Sequence, residues 1–446
     1  MIHVNYFKTA SRPSNLMRTT FAVFKPQPFE VGVLLLFFVI ISHQLFFPPL
    51  IGIADNGDFI RLLAPAGLQQ IHTEYDDNYY QHFNSKYRTV VRPERPNDFQ
   101  SSTILFVRAA RWFNIRFINS YFFDVRVLGF VYLLIFLFGI YLVLIWSRAL
   151  RLAGRLLIAS LLLLMFVDTA YTAYFNSFYS EPAAIVCLLI SFGCALMLIA
   201  QREGPGLAFV GYFLSAGILV TAKPSYALFG LLFVPFGIYL SGFIVIRHRY
   251  WLGGALAGGL LGLAVWSYSQ TPDWLRFNAN YIGLFTSALA SSARPVEDLR
   301  ELGLNPDWIR YVGSTPYQKD SPAVTDAAFR AEFSERVTVS TVPKYYLSRP
   351  SRLYSTASNV ARTVLTTLPH YAGYYEKSSG KPPYAKPVAL WSNIRRTLFP
   401  ASIWLLLIYF GWGLAAFVIG IRNRTSARGG YLLLHSLLVG FSLLAF

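Results

Sequence analysis

The run RVLGFVYLLIFLFGIYLVLIWS (126–147), followed at once by RALRLAGR (148–155), decides the fold. After Arg126, 21 residues pass without a charge. As a helix rising 1.5 Å per residue they cover ~30 Å, the thickness of a bilayer's hydrocarbon. Arg148, Arg151 and Arg155 then close the run with positive charge alone. Working outward, the same alternation recurs. Of 446 residues 54% are hydrophobic and only 14% charged, with a mean hydropathy of +0.43, whereas soluble domains carry roughly 25% charged residues. The pattern predicts spans at 29–51, 126–147, 156–174, 182–200, 207–222, 225–245, 252–268, 399–421 and 431–446. Lys223-Pro224 breaks the fifth from the sixth as a tight hairpin, and the last run ends at Phe446 inside apolar sequence, as a minimal or truncated span.

The net charge of +17 follows from sidedness. Lys8, Arg12, Arg18, Lys25, Arg148, Arg151, Arg155, Arg202, Arg247, Arg249, Arg422, Arg424 and Arg428 fall in the tail and loops of one side, where Glu203 is the one acid counted against them. The other 26 basic residues are mixed with 21 acids. This asymmetry predicts a cytoplasmic amino terminus, a multi-pass plasma (inner) membrane protein and working loops on the external face, and it argues against a nucleic-acid partner. Gly52-Ile53-Ala54 resembles a signal cleavage site, but the apolar run from Val31 to Phe47 is longer than a signal core, so an uncleaved first span is expected. Cys187 and Cys194 stand seven apart, about 10 Å along a helix, too far for a disulfide. They read as packing thiols.

The chain therefore divides into a cytoplasmic tail (1–28), a first span (29–51), a first external loop (52–125), six spans (126–268), an external helical domain (269–398) and C-terminal spans (399–446). In the first loop, STILFVRAARWFNIRFI (102–118) predicts an interfacial helix with Arg108 and Arg111 on one face. In the second external segment, 295–303 and 321–336 predict helices and 376–387 a loop.

Chemistry concentrates at loop boundaries. In ADNGDFIR (54–61), Asp55 and Asp58 flank a turn-forming Gly57 directly after the first span; such a pair raises its own pKa or binds a cation, while the plainer reading has Asp58 capping a helix at 59–68. YFNSFYSEP (174–182) brings Glu181 to the start of the fourth span, with Pro182 in its first turn. Asp168, deeper on the third span, is a weaker candidate that local capping would explain. Lys223 is a cation at the interface, suited to snorkelling or to a lipid phosphate. Glu74, Asp76 and Asp77 read as solvated loop, and His72, His82 and His370 lack the close spacing of a zinc pair. No phosphate-binding glycine loop, nucleophile elbow or cysteine-pair motif is present.

Together these pieces resemble the GT-C superfamily of polytopic glycosyltransferases over nearly the whole chain: an acidic motif after the first span, a long first loop with interfacial helices, an acid between spans three and four and a large late external segment. DNGDF (55–59), YFNSFYSEP (174–182) and the 281–304 stretch with DLRELGL resemble the Wsf-type hexose transferases of bacterial surface-glycan assembly. The resemblance implies an all-α polytopic bundle with a mainly helical external domain. It implies transfer of a hexose from a polyprenyl-phosphate donor to a glycan or lipid-linked acceptor, with inversion, among membrane lipids. By position, Asp58 would be the general base, Asp55 would orient it, Glu181 would complete the acidic site and Asn176 would add a hydrogen bond. Lys223, Arg61, Arg108 and Arg111 would hold the phosphate. A divalent cation, Mg or Mn, is the one cofactor the resemblance allows, on Asp55, Asp58 and Glu181. The rival readings are a transporter or flippase for a lipid-linked saccharide, a glycan polymerase or ligase, and a glycan-binding scaffold. Clustering of acids at one surface, with no charge in spans four, six, seven and eight, argues against transport.

Overall fold

The computed structural model describes residues 24–91, 99–200, 205–317, 321–364, 373–399 and 402–445. Lys8, Arg12, Arg18, Arg202, Glu203 and His370 lie outside them. The chain is an α-helical polytopic membrane protein. Among the described residues, seven helices are long and apolar enough to cross a membrane: Pro28–Phe46, Val125–Ser147, Glu181–Ile199, Pro205–Ala222, Pro224–Phe243, Arg249–Ser269 and Ile403–Arg422. An eighth crossing exists if Leu152–Phe166 and the bent Thr169–Asn176 count as one span. The 19-residue helix Ala427–Ala445 stands where the ninth was expected.

Two boundaries differ from the sequence reading, each for a local reason. The first span ends at Phe46 rather than 51, because Pro48-Pro49 cannot continue a helix. Ile51–Gly52 is instead a short strand, antiparallel to Tyr374–Tyr375. The third span begins at Leu152 and breaks after Phe166, where the chain turns by 63°. Asp168 makes that break: its carboxylate accepts the Ala170 N–H at 3.0 Å and, from Ser392, the N–H at 2.9 Å and the hydroxyl at 2.8 Å. It is fully buried and fully partnered, a structural clamp.

The chain forms two compact units. The first, 1–268 with 368–393 and 412–445, holds the bundle. Glu181–Ile199 packs against both Val125–Ser147 and Pro205–Ala222. Small residues let these backbones approach: a Cβ on Gly193 would stand 2.6 Å from Leu142 Cβ, and one on Gly139 would stand 2.9 Å from Leu189 Cγ. Outward-facing side chains are apolar, as lipid requires, with Leu35, Val39, Leu161, Leu214 and Val265 all exposed. The first loop contains the expected helix as Thr103–Phe117, which buries Ile104, Val107, Ala110 and Asn114 and exposes Leu105, Trp112, Phe113 and Phe117. It also contains a small antiparallel sheet of Leu68–Gln69, Lys86–Thr89 and Phe122–Asp124 that the helical reading did not contain.

The second unit, 269–367 with 394–411, is built from short helices around an aromatic core of Tyr281, Phe285, Trp308, Phe329 and Phe333. Its helices include Pro295–Glu301, Pro322–Thr325 and Ala327–Arg336, in the two stretches read as helical. The segment 373–393, read as part of the same external domain, belongs instead to the first unit, because its backbone pairs with the chain just after the first span.

Candidate active site

The segment after the first span folds around one carboxylate. Asp55 Oδ1 accepts the N–H of Gly57 at 2.7 Å and of Phe59 at 3.1 Å, a turn that requires the φ of +97° at Gly57. Oδ2 accepts the Gln70 amide at 2.9 Å, and Gln70 Oε1 in turn accepts the Tyr79 hydroxyl at 3.2 Å. Only 4% of Asp55 is exposed. Burial lifts its pKa from 3.8 to about 6, against the lowering effect of the Phe59 and Gly57 N–H groups, with the Asp58 charge adding to the rise.

Asp58 is placed differently. Its carboxylate pairs with Arg61 at 2.7 Å and is about one-third exposed. The helix it was expected to cap is a single turn, Ile60–Leu63, preceded by Phe59. Asp58 meets that turn through its carbonyl, which accepts the Arg61 N–H at 3.1 Å.

Asp55 borders a cavity of about 490 Å³ whose walls include Asn56, Tyr80, Tyr179, Tyr374 and Tyr384. Tyr179 donates to the Ala54 carbonyl at 3.3 Å, accepts the Asn56 N–H at 3.2 Å and sets its ring edge-on to Phe59 at 4.8 Å. Burial and the nearby Asp55 charge push its phenol well above the ordinary range. Tyr374 and Tyr384 arrive from the far end of the sequence. They face each other across an antiparallel bridge, rings 5.6 Å apart. The Ile51–Gly52 pairing, the contact of His82 Nδ1 with the Tyr375 carbonyl at 3.0 Å and an ion pair between Lys377 and Asp77 hold that segment in place. Asp77, read as solvated, is thus a tie between two parts of the site. None of these late residues carries a local sequence signal; the pairing of strand 374–375 and the ties beside it bring them in.

Glu181 forms a second cluster. It opens the Glu181–Ile199 helix, and its Oε1 meets Lys223 Nζ at 3.3 Å and the Tyr226 hydroxyl at 3.4 Å. Its Oε2 is buried without a hydrogen-bond partner. Ser101 and Ser180 both donate to the Ala222 carbonyl, at 2.6 and 2.9 Å, fixing the turn that carries Lys223. Glu181 does not border the Asp55 cavity. Arg108 does border a second cavity, about 410 Å³, with Gln100, Ser101, Leu105, Leu263 and Trp266, and donates to the Pro65 carbonyl at 3.1 Å. Arg111 turns away to the Val90 carbonyl at 3.5 Å, and burial beside Arg108 holds its pKa below the usual value.

Asn176 belongs to the core. It is 1% exposed and donates to the Leu45 and Ile51 carbonyls at 3.0 and 2.8 Å, stapling the end of the first span to the following strand. Its Oδ1 points at Gly129, where an added Cβ would lie 2.2 Å away. A substrate role for this amide is corrected to a structural one.

A divalent cation does not fit this arrangement. Asp55 Oδ1 is filled by two N–H donors and Oδ2 by one, which leaves a single lone pair there; Arg61 pairs with Asp58 and Lys223 with one oxygen of Glu181. Among the described residues no group of three His, Cys, Asp or Glu side chains is placed to hold a metal ion. The three acids expected as a shared site fall into two clusters.

Neither a curated protein nor a solved structure matches the chain. A family model does, over residues 17–446, and its description is the YfdI N-terminal transmembrane domain. That match spans both acidic clusters, both cavities and every candidate span. Its family is linked to GT-C-like membrane glycosyltransferases, and the chain belongs to it: this is a member of the YfdI N-terminal transmembrane domain family.

Proposed function

We propose that this chain is a membrane glycosyltransferase that moves a hexose from a polyprenyl-phosphate donor to a glycan acceptor at the outer face, with inversion. The observation that carries the reading is a buried carboxylate, raised to about 6, bordering a tyrosine-walled cavity next to the first span. A base of that pKa is mostly ionised at neutral pH yet basic enough to take a hydroxyl proton in the transition state. Asp55, rather than the ion-paired Asp58, is therefore assigned as base. The acceptor oxygen attacks the anomeric carbon, its proton passes to Asp55, and the bond from that carbon to the phosphate oxygen breaks, releasing polyprenyl phosphate. The leaving phosphate needs positive charge. The cavity beside Arg108 offers a guanidinium with the apolar walls of Leu105, Leu263 and Trp266 for the lipid. Arg61 supplies a cation beside Asp58 and Lys223 one beside Glu181.

The test uses the full chain in nanodiscs with radiolabelled polyprenyl-phosphate hexoses and a lipid-linked glycan. Label should reach the glycan from at least one donor. Transfer from nucleotide sugars alone, or from none of the donors, would remove the reading.

Gln70 gives a finer check. Gln70→Leu removes the N–H that stabilises ionised Asp55, so its carboxyl should titrate above about 6. The acidic limb of kcat/KM should move to higher pH, with much of the rate recovered above the new pKa. An unmoved limb would mean that a different group sets it.

A further inference from the structure

We infer that the Asp55 cavity receives a neutral pyranose of the acceptor, stacked between Tyr80 and Tyr384, and not a phosphate-bearing polymer. The inference rests on the glycosyl-transfer reading and names the acceptor class it leaves open.

Two features of the cavity carry it. The first is its charge. Among the described residues bordering it, Asp55 is the only ionisable carboxylate and none is cationic; the other polar groups are phenols and the amides of Asn56 and Gln81. An acceptor built from phosphodiesters would bring negative charge against Asp55, with Asp58 close enough to raise its pKa. A neutral sugar brings hydroxyls, which amides, phenols and a carboxylate can hydrogen-bond.

The second is the placement of two rings. Tyr80 is the one non-glycine residue among those described with positive φ, +67°. For a bulky side chain that backbone is an outlier. Two hydrogen bonds hold it there: its N–H donates to the Asp55 carbonyl at 2.9 Å and its hydroxyl to the Asn56 carbonyl at 3.0 Å. The strained residue is thus tied at both ends to the acidic turn, with 52% of its surface left open. Strain of this kind, imposed by surrounding contacts, is a mark of sites where a side chain must be aimed. Tyr384, 51% exposed, is set on the cavity wall by its bridge to Tyr374. A pyranose has a face of C–H bonds with partial positive charge, which suits the negative face of an aromatic ring. Its hydroxyl edge would then lie toward Asp55.

The experiment is saturation-transfer NMR on the full chain in nanodiscs, with maltose, lactose and methyl α-L-rhamnopyranoside as neutral probes and glycerol 3-phosphate as the anionic one. At least one neutral probe should receive saturation at its ring C–H protons, and glycerol 3-phosphate should not. Tyr80→Ala and Tyr384→Ala should each weaken binding about tenfold, equivalent to ~1.4 kcal/mol. Tyr384→Phe, which keeps the ring, should bind nearly as well as the wild type. Asp55→Asn, which keeps a side-chain oxygen, should lose transfer and still bind the sugar; a wild type that binds a neutral probe yet transfers no hexose would tell against the transfer reading alone. Failure of all neutral probes to bind the wild type would overturn the inference. So would undiminished binding by a folded Tyr80→Ala/Tyr384→Ala double variant, or preferential binding of glycerol 3-phosphate.

Discussion

Asp55→Asn should reduce hexose transfer by ~10²–10⁴-fold while its melting temperature at pH 7.5 equals or exceeds that of the wild type. The two halves come from the same burial. In the unfolded chain the carboxyl titrates at 3.8 and in the folded protein at about 6. Between those values the folded state binds more protons, so stability falls as pH rises from about 4 to 6. The whole cost, about 3 kcal/mol, remains at neutral pH. Asparagine keeps one oxygen to accept the Gly57 and Phe59 N–H groups, and a flip of the Gln70 amide restores its bond on the other side. The substitution therefore removes the buried charge and keeps the turn. A residue whose neutral replacement stabilises the fold and stops the reaction is held there for chemistry. Thermal melts at pH 5 and 7.5, run beside the transfer assay, decide it: the stabilising effect should shrink at pH 5. Active Asp55→Asn with inactive Asp58→Asn would give the base to Asp58, the assignment that position in the motif first suggested.

What the sequence discloses is set by distance along the chain. Uncharged runs of about 20 residues reveal spans because a helix in lipid must satisfy its backbone locally and present apolar side chains over its length. The acids at 55 and 58 stand out for the same reason, as charges at the end of such a run. Legibility ends where partners come from afar. Asp55 meets Gln70 and a wall from Tyr374 and Tyr384, about 320 residues later, and no local pattern announces a two-residue strand at 374–375. Lys223 looked like a lone cation because Glu181, 42 residues earlier, is one loop and one hairpin away. Asn176 misled in the opposite direction. The resemblance gives its amide a hydrogen bond to substrate by position alone, yet the bent third span turns it inward, where it donates to two backbone carbonyls. Only a bend, invisible to hydropathy, separates those outcomes.

Glu30→Ala should lower stability more than any substitution near the cavity, by ~3–5 kcal/mol, read as a drop of several degrees in the melting temperature. Glu30 opens the first span, at the end of that helix away from Asp55, and is fully buried. Arg148 and Arg155 converge on it, each at 2.8 Å, and its Oε2 also accepts the Gln27 N–H. Arg155 lies over the Phe29 ring at 4.3 Å, and Arg148 donates to the Lys25 carbonyl at 3.0 Å. Two arginines that read as markers of sidedness are therefore also the cationic half of a clamp joining the first, second and third spans. Removing the carboxylate leaves two guanidinium groups, 14% and 16% exposed, without their counter-ion. The same argument makes a rescue: Glu30→Leu combined with Arg148→Met and Arg155→Met eliminates the charges together and should recover most of the loss, since apolar replacement of a whole buried ion cluster is often neutral or better. If Glu30→Ala melts with the wild type, the arginines find water or lipid phosphate instead, and the clamp contributes nothing to holding the three spans together.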